Sequence, residues 1–197
     1  MNLPNKLTIS RFLLTVAFLA VMFSQVKYHK TIALVLFIAA GVSDFLDGVI
    51  ARRHKLITNF GILMDPLADK IMVCSAFIAF VGLNWIPAWM VVVVVARELA
   101  ITGMRLLAAA RNVVLPAEGF GKYKTISQIV AIIAIFILAA YNEWGAVGRA
   151  IFGFHFPGQT PWIEWFAALA KWVAVALTFI SGWMYLWRNR ALYLQDL

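Results

Sequence analysis

The chain has 197 residues, of which 63% are hydrophobic and only 13% are charged, and its mean hydropathy is +0.87. Soluble domains carry about a quarter of charged residues, so this composition excludes an ordinary soluble protein and indicates an integral membrane protein. The net charge of +8 does not indicate binding of nucleic acid, because the basic residues lie between apolar segments and not along one face of a soluble domain.

Six apolar stretches follow one another along the chain, and each is long enough to cross a bilayer as a helix of about 20 residues. They are 12–26, 31–51, 62–83, 86–108, 126–142 and 162–187. None shows the period-two alternation of barrel strands, and a helix satisfies its own backbone amides inside a membrane. We therefore predict an all-α fold, an integral membrane bundle of six transmembrane helices that forms a single domain over residues 1–197.

Two segments outside the predicted spans, 2–10 and 143–161, have distinctive compositions. Residues 2–10 are short and amphipathic, and we predict an interfacial N-terminal helix before the chain enters the membrane. The first apolar stretch has no small-residue cleavage site after it, so we expect it to remain in the protein as a span. The longest connection, 143–161, is rich in glycine and aromatic residues, which favours an outward-facing loop at the membrane interface.

The basic residues are unequally divided between the two sides of the predicted bundle. The side of the N-terminus carries Lys6, Arg11, Arg52, Arg53, Lys55, Arg105, Arg111, Lys122, Lys124, Arg188 and Arg190. The other side carries Lys27, Lys30 and Arg149. By the positive-inside rule, this asymmetry predicts that both termini lie in the cytoplasm.

The second and third stretches contain a cluster of carboxylates. Four of the nine acidic residues fall there: Asp44, Asp47, Asp65 and Asp69. Within each helix, spacings of three and four residues return to one face, and the short connection 53–60 makes the two helices antiparallel neighbours. Carboxylates crowded in a low-dielectric setting repel one another unless a cation binds, and their oxygens suit Mg²⁺ or Mn²⁺. The pattern predicts a divalent-metal site at the cytoplasmic end of one groove.

Small residues share the faces of these aspartates. Gly48 and Ala51 lie on the second helix, and Gly61 lies on the third. Small residues in membrane helices commonly permit close helix packing, but between aspartates we favour room for a nucleotide. Arg52 follows at the membrane edge, where it either extends its charge to the interface or contacts a phosphate; both readings stay open.

The same residues carry a resemblance. The string Asp44-Phe-Leu-Asp47-Gly48-Val-Ile-Ala51-Arg52, then eight residues, then Gly61-Ile-Leu-Met-Asp65-Pro-Leu-Ala-Asp69 resembles the signature of the CDP-alcohol phosphotransferases. The resemblance implies that the four aspartates hold one or two divalent ions on the pyrophosphate of a CDP-linked lipid. It also implies that Asp69 is the general base and that the protein is a homodimer.

Basic residues at the same end of the bundle suggest how the acceptor alcohol is bound. Thr102 and Arg105 share a face of the fourth helix with Glu98, and Lys122 and Lys124 precede the fifth stretch. These bases either anchor the helices by the positive-inside rule or bind an anionic acceptor, and we favour binding by Thr102, Arg105, Lys122 and Lys124. For Arg97 and Glu98, pairing within the bundle is an equally good reading.

Sequence segments outside this motif indicate which alcohol is the acceptor. Residues 2–11, 96–105 and 121–128 resemble the bacterial phosphatidylglycerophosphate synthases, a branch of that family. This implies transfer of the phosphatidyl group from CDP-diacylglycerol to glycerol 3-phosphate, with release of CMP, at the bacterial cytoplasmic membrane. Two alternatives stay open: a sister enzyme that uses inositol phosphate, serine or phosphatidylglycerol, and a membrane metal-ion transporter.

Overall fold

The computed structural model describes residues 3–54, 59–111, 120–155 and 160–190, and within these ranges the side chains other than those of 3–8, 44–54, 59–69, 110 and 120. Seven α-helices account for most of the described chain. They are α1 (Leu3–Met22), α2 (His29–His54), α3 (Asn59–Gly82), α4 (Ala88–Ala110), α5 (Phe120–Ala140), α6 (Gly145–Phe152) and α7 (Trp162–Arg188), with a short 3₁₀ helix at Tyr141–Trp144. In the described ranges, the only β-type pairing is an isolated bridge between His155 and Pro161. The all-α prediction is confirmed.

Each of the six apolar stretches forms one of the long helices. The prediction of a separate interfacial helix over residues 2–10 is wrong, because α1 runs without interruption from Leu3 to Met22. Pro4 lies in the first helical turn, where its missing N–H costs nothing, and neither proline nor glycine follows it before the helix ends. The amphipathic segment is therefore the start of the first long helix.

The segment 143–161 is not the simple loop that its composition suggested. The 3₁₀ helix and α6 occupy residues 141–152, and Gly145 joins them with a positive φ of 63°. This left-handed conformation is one that glycine adopts without steric strain. Pro161 then precedes α7, as Pro87 precedes α4, and each has the extended ψ of a residue outside the helix.

Glu143 and Trp144 attach this segment to the start of α2. The Glu143 carboxylate accepts hydrogen bonds from the backbone N–H of Thr31 (3.1 Å) and from its hydroxyl (2.7 Å). The indole Nε1 of Trp144 donates to the same hydroxyl oxygen at 2.9 Å. The first N–H groups of a helix have no partner within the helix, so Glu143 supplies a cap from a distant element.

The main core is formed around four phenylalanines, Phe18, Phe37, Phe80 and Phe136, which we call the aromatic layer. Phe80 and Phe136 meet edge to face with centroids 4.9 Å apart, and Phe18 meets Phe136 in the same way at 5.9 Å. Such edge-to-face contacts add favourable electrostatics to the buried area. All four side chains are almost completely buried.

The buried residues around this layer establish the direction of each helix. They come from 18–22 at the end of α1, 33–40 in the first half of α2, 72–80 in the second half of α3, 90–94 near the start of α4 and 132–136 in the second half of α5. Successive helices from α1 to α5 therefore run in alternate directions. The end of α2, the start of α3, the end of α4 and the start of α5 all lie at the opposite end of the bundle from the aromatic layer.

The last helix, α7, closes the bundle against α4 and α5. Alanines 131 and 134 of α5 pack on alanines 167, 170 and 174 of α7, and these small side chains let the two helices approach closely. Trp89 meets Trp172 near the start of α4, and Tyr185 packs on Ile101 and Met104 further along. These contacts make α7 antiparallel to α5 and parallel to α4.

Within the described ranges, two segments are long and apolar enough to cross a membrane, Gly121–Phe152 and Trp162–Arg188. Shorter apolar helical segments are Ile9–Met22, His29–Ser43 and Lys70–Gly82. In α4 the charged residues Arg97, Glu98 and Arg105 interrupt an otherwise apolar helix.

Candidate active site

The predicted metal and nucleotide residues lie on α2 and α3. Asp44, Asp47, Gly48, Ala51 and Arg52 belong to the second half of α2, and Gly61, Asp65 and Asp69 to the first half of α3. Their side chains lie outside the described residues, so the predicted ligand set stays a prediction. Among the side chains that are described, no group of three or more His, Cys, Asp or Glu is arranged to hold a metal ion.

The helices that carry the aspartates have the predicted relative direction. The first half of α2 and the second half of α3 meet in the aromatic layer, so the two helices run in opposite directions and segments 44–54 and 59–69 extend to the same end of the bundle. α1 packs against both of them. Four carboxylates in these two segments are hard oxygen donors, which is the ligand chemistry that Mg²⁺ and Mn²⁺ require.

Arg11 of α1 was not selected from the sequence as a site residue, although it is only 2% exposed. A buried guanidinium is costly unless it is paired or hydrogen-bonded. Its position on the helix that contacts both α2 and α3 places a positive charge inside the bundle. The signal in the sequence was an arginine within an apolar helix, which positive-inside counting had assigned to the membrane edge.

The predicted acceptor residues divide into two groups. Arg105 and Lys122 are exposed, on the last turns of α4 and the first turn of α5. Thr102 is half-buried, and Lys124 is 5% exposed. All four come to the end of the bundle that also carries segments 44–54 and 59–69, but only Thr102 and Lys124 take part in one described network.

This network joins three helices, and we call its members Lys70, Glu98, Thr102 and Lys124 the polar cluster. The ammonium of Lys124 on α5 donates to the Glu98 carboxylate on α4. The ammonium of Lys70 on α3 donates to the Thr102 hydroxyl, which itself donates to the Glu98 carbonyl at 2.7 Å. The polar cluster therefore links α3, α4 and α5. Its member on α3, Lys70, directly follows Asp69 in the sequence.

Arg97 adds a second basic group to Glu98. Its Nη1 lies 3.3 Å from the Glu98 carboxylate, so the pairing of Arg97 with Glu98 that the sequence left open is present. The stem of Arg97 crosses α7 at Gly182, where an added Cβ would lie 2.8 Å from its Cγ. Glu98, at 6% exposure, thus lies between two cations inside the bundle.

Beside the polar cluster, a hydrogen bond between two neutral side chains joins α5 to α7. Gln128 is 1% exposed and donates from Nε2 to the hydroxyl of Thr178, which is completely buried, at 2.9 Å. A cavity of about 20 Å³ lies between Lys70, Glu98, Lys124 and Gln128. This volume accommodates one water molecule and excludes a phosphate group.

Sequence reasoning did not include Lys70 among the candidate site residues and did not identify Glu98 as the partner of Lys124. The available signal was general: an acid or a base within an apolar helix needs a partner of opposite charge. Which base pairs with Glu98 depends on how α4 and α5 face each other, and helical periodicity gives each helix a face without giving its neighbour. Lys124, predicted as an acceptor ligand, proves to be engaged by Glu98 in this structure.

Comparison with known proteins identifies the family. The CDP-alcohol phosphatidyltransferase family model matches residues 1–180. A CDP-diacylglycerol–glycerol-3-phosphate 3-phosphatidyltransferase of Bacillus subtilis (strain 168) is 38% identical over 200 residues, covering 95% of each chain. Proteins of the same name from Cereibacter sphaeroides, 33% identical over 99% of this chain and 98% of the relative, and from Rickettsia typhi, 30% identical over 93% and 94%, are also similar. With a family model that spans most of its length and relatives that match it nearly end to end, the chain belongs to the CDP-alcohol phosphatidyltransferase family.

Proposed function

We propose that this protein transfers the phosphatidyl group of CDP-diacylglycerol to glycerol 3-phosphate, giving phosphatidylglycerophosphate and CMP. The observation that carries the proposal is the nearly full-length similarity to relatives that bear the name of this activity. The eight motif positions between Asp44 and Asp69 agree with it, since they supply carboxylates and bare backbone suited to a metal-bound nucleotide.

The proposed metal ligands are Asp44, Asp47, Asp65 and Asp69, and the proposed ion is Mg²⁺ or Mn²⁺. A divalent ion held there would neutralise charge on the pyrophosphate and on the departing CMP. Gly48, Ala51 and Gly61 leave space beside these ligands for the cytidine group, and Arg52 adds a positive charge for a phosphate. The alternating helix directions support a common location for the two motif segments.

Asp69 is proposed to take the proton from the attacking hydroxyl of glycerol 3-phosphate. A carboxylate within hydrogen-bond reach of that hydroxyl acts as a general base. The oxygen then forms a bond to the phosphorus next to diacylglycerol, and the bond from that phosphorus to the oxygen of CMP breaks. Arg105 and Lys122, exposed at the same end of the bundle, attract the acceptor phosphate.

In the membrane, we propose six spans formed by α1 to α5 and α7, with both termini and the site on the cytoplasmic side of a bacterial cytoplasmic membrane. The two apolar segments long enough to cross and the three shorter apolar segments support this arrangement. A site at the membrane edge lets the acyl chains of the donor remain in the bilayer while its head reaches the aspartates. We also propose that the protein forms a homodimer.

The test is release of CMP by the purified protein from CDP-diacylglycerol with a panel of acceptors. We expect release with glycerol 3-phosphate, loss after removal of divalent ions by EDTA, and recovery with Mg²⁺ or Mn²⁺. Release with serine or inositol phosphate in place of glycerol 3-phosphate would identify a sister enzyme. Uptake of metal ions into proteoliposomes without any release of CMP would instead favour a transporter.

A further inference from the structure

The pairing of Glu98 with Lys124 raises the question of how Lys124 serves the reaction. Lys124 is 5% exposed, and its ammonium donates to the Glu98 carboxylate. The cavity beside it measures about 20 Å³, which is too small for a phosphate. In this structure the Lys124 ammonium is hydrogen-bonded to Glu98 beside a cavity that does not hold a phosphate, whereas Arg105 and Lys122 are exposed to an incoming anion.

Glu98 contacts α5 directly, and its neighbours Thr102 and Arg97 contact α3 and α7. It binds Lys124 of α5 through its carboxylate and accepts the Thr102 hydroxyl at its carbonyl, and Thr102 in turn accepts Lys70 of α3. Arg97 joins it at 3.3 Å and lies over Gly182 of α7. Through its carboxylate, Glu98 thus connects the middle of α4 to the start of α5.

The positions of Arg105 on α4 and Lys122 on α5 connect the Glu98–Lys124 ion pair to acceptor binding. Arg105 lies seven residues after Glu98, two helical turns and about 10 Å nearer the end of the helix. Lys122 lies two residues before Lys124 on α5. If α4 and α5 shift relative to each other, the distance between the two exposed bases changes.

We propose that Glu98 is a positioning residue for the acceptor: its ion pair with Lys124 sets the spacing of Arg105 and Lys122 that recognises the phosphate of the acceptor alcohol. The inference rests on the proposed function and assigns Lys124 to the positioning pair instead of to direct contact with the acceptor. It makes the Glu98–Lys124 pair a determinant of acceptor affinity more than of donor affinity.

The experiment compares Glu98→Gln, Lys124→Gln and the double variant that carries both substitutions. Each single variant removes one charge of the buried pair and leaves the opposite charge less fully compensated, whereas the double variant places two neutral amides that can hydrogen-bond to each other. We expect each single substitution to raise KM for glycerol 3-phosphate about tenfold, with KM for CDP-diacylglycerol changed less than about twofold. In the double variant, KM for glycerol 3-phosphate should return to within about threefold of the wild type.

A matched control is Thr178→Val, which removes the buried hydrogen bond to Gln128 without changing any charge. It should lower the thermal midpoint and leave both KM values unchanged. If it raises KM for glycerol 3-phosphate as much as Glu98→Gln does, the effect is general loosening of the bundle and the inference is wrong.

Direct contact of Lys124 with the acceptor gives a different result, because the double variant would then be as impaired as Lys124→Gln alone. Equal changes in both KM values would also overturn the inference. If the single variants do not fold, the double variant decides by itself, since it contains no unpaired member of this pair. A wild-type KM for the acceptor supports positioning, and a strongly raised one refutes it.

Different results would refute the proposed function and the positioning role of Glu98. If the wild-type protein releases CMP with another alcohol but not with glycerol 3-phosphate, the acceptor assignment is wrong, and the same comparison of KM values applies to that alcohol. Absence of CMP release with every alcohol would overturn both the function and the positioning role.

Discussion

At the scale of single residues, the candidate site combines groups of two kinds. The aspartates of α2 and α3 are recognised by their spacing alone, because a motif of fixed positions on two helices needs no knowledge of the rest of the fold. The partners of Glu98 depend on tertiary structure. The structure adds Lys70 and Arg97 to the residues of interest and shows that Lys124 is paired.

Asp69→Asn tests the proposed general base. An amide keeps an oxygen that can coordinate a metal but cannot accept the proton of the attacking hydroxyl, so kcat should fall by about 10²- to 10⁴-fold. Metal-dependent binding of CDP-diacylglycerol should be largely retained, as measured with the purified protein by calorimetry. Full turnover in this variant would refute the base role.

Arg105→Ala tests recognition of the acceptor phosphate. Loss of a charge-assisted hydrogen bond should raise KM for glycerol 3-phosphate by about 10- to 100-fold, while KM for CDP-diacylglycerol stays close to the wild-type value. Arg149→Ala is the matched control, since Arg149 is an exposed arginine on α6, far from α4 along the chain. Similar increases in both KM values would show that Arg105 does not read the acceptor.

At the scale of the elements, the segment 141–152 has a structural role that its composition concealed. Its aromatic and glycine content suggested a loop at the interface, but it forms a 3₁₀ helix followed by α6. Glu143 then caps α2 from more than a hundred residues away in sequence. Such a cap cannot be found from local signals, because the usual capping residue belongs to the helix it caps.

Glu143→Ala should destabilise the protein without a specific effect on substrate binding. The N-terminal N–H groups of α2 lose a carboxylate acceptor, and loss of a cap of this kind costs about 1 kcal/mol. The measurement is thermal unfolding in detergent. Glu143→Gln keeps an oxygen acceptor for Thr31 and should retain most of the stability; an equal loss in both variants would mean that the hydrogen bonds are not the cause.

At the scale of the whole molecule, alternating helix directions bring four helix segments to one end of the bundle. These are the end of α2, the start of α3, the end of α4 and the start of α5, and they carry all the predicted site residues. The aromatic layer occupies the other half of the bundle. Buried aromatic packing thus occupies one half of the bundle, and the segments that carry the predicted site residues lie in the other.

The proposed orientation can be tested with single cysteines introduced after Cys74→Ala, which removes the native thiol. In intact cells, Arg149→Cys should react with a membrane-impermeant maleimide and Lys122→Cys should not, because positive-inside orientation places Lys122 in the cytoplasm. Both should react once the cells are opened. Labelling of Lys122→Cys in intact cells would reverse the proposed orientation.

The sequence by itself determined the helical class, the six long helices and the family, because apolar length and the fixed spacing of four aspartates are local properties of the chain. The sequence could not determine that residues 2–10 continue into α1. A helix continues wherever nothing in the chain interrupts it, and local amphipathicity alone does not mark where it ends. Only the tertiary structure decided that Glu98 pairs with Lys124 and that Glu143 caps α2. The physical reason is the same in both cases: a buried or half-buried charge must find its partner across the bundle, and helical periodicity does not say which helix lies opposite.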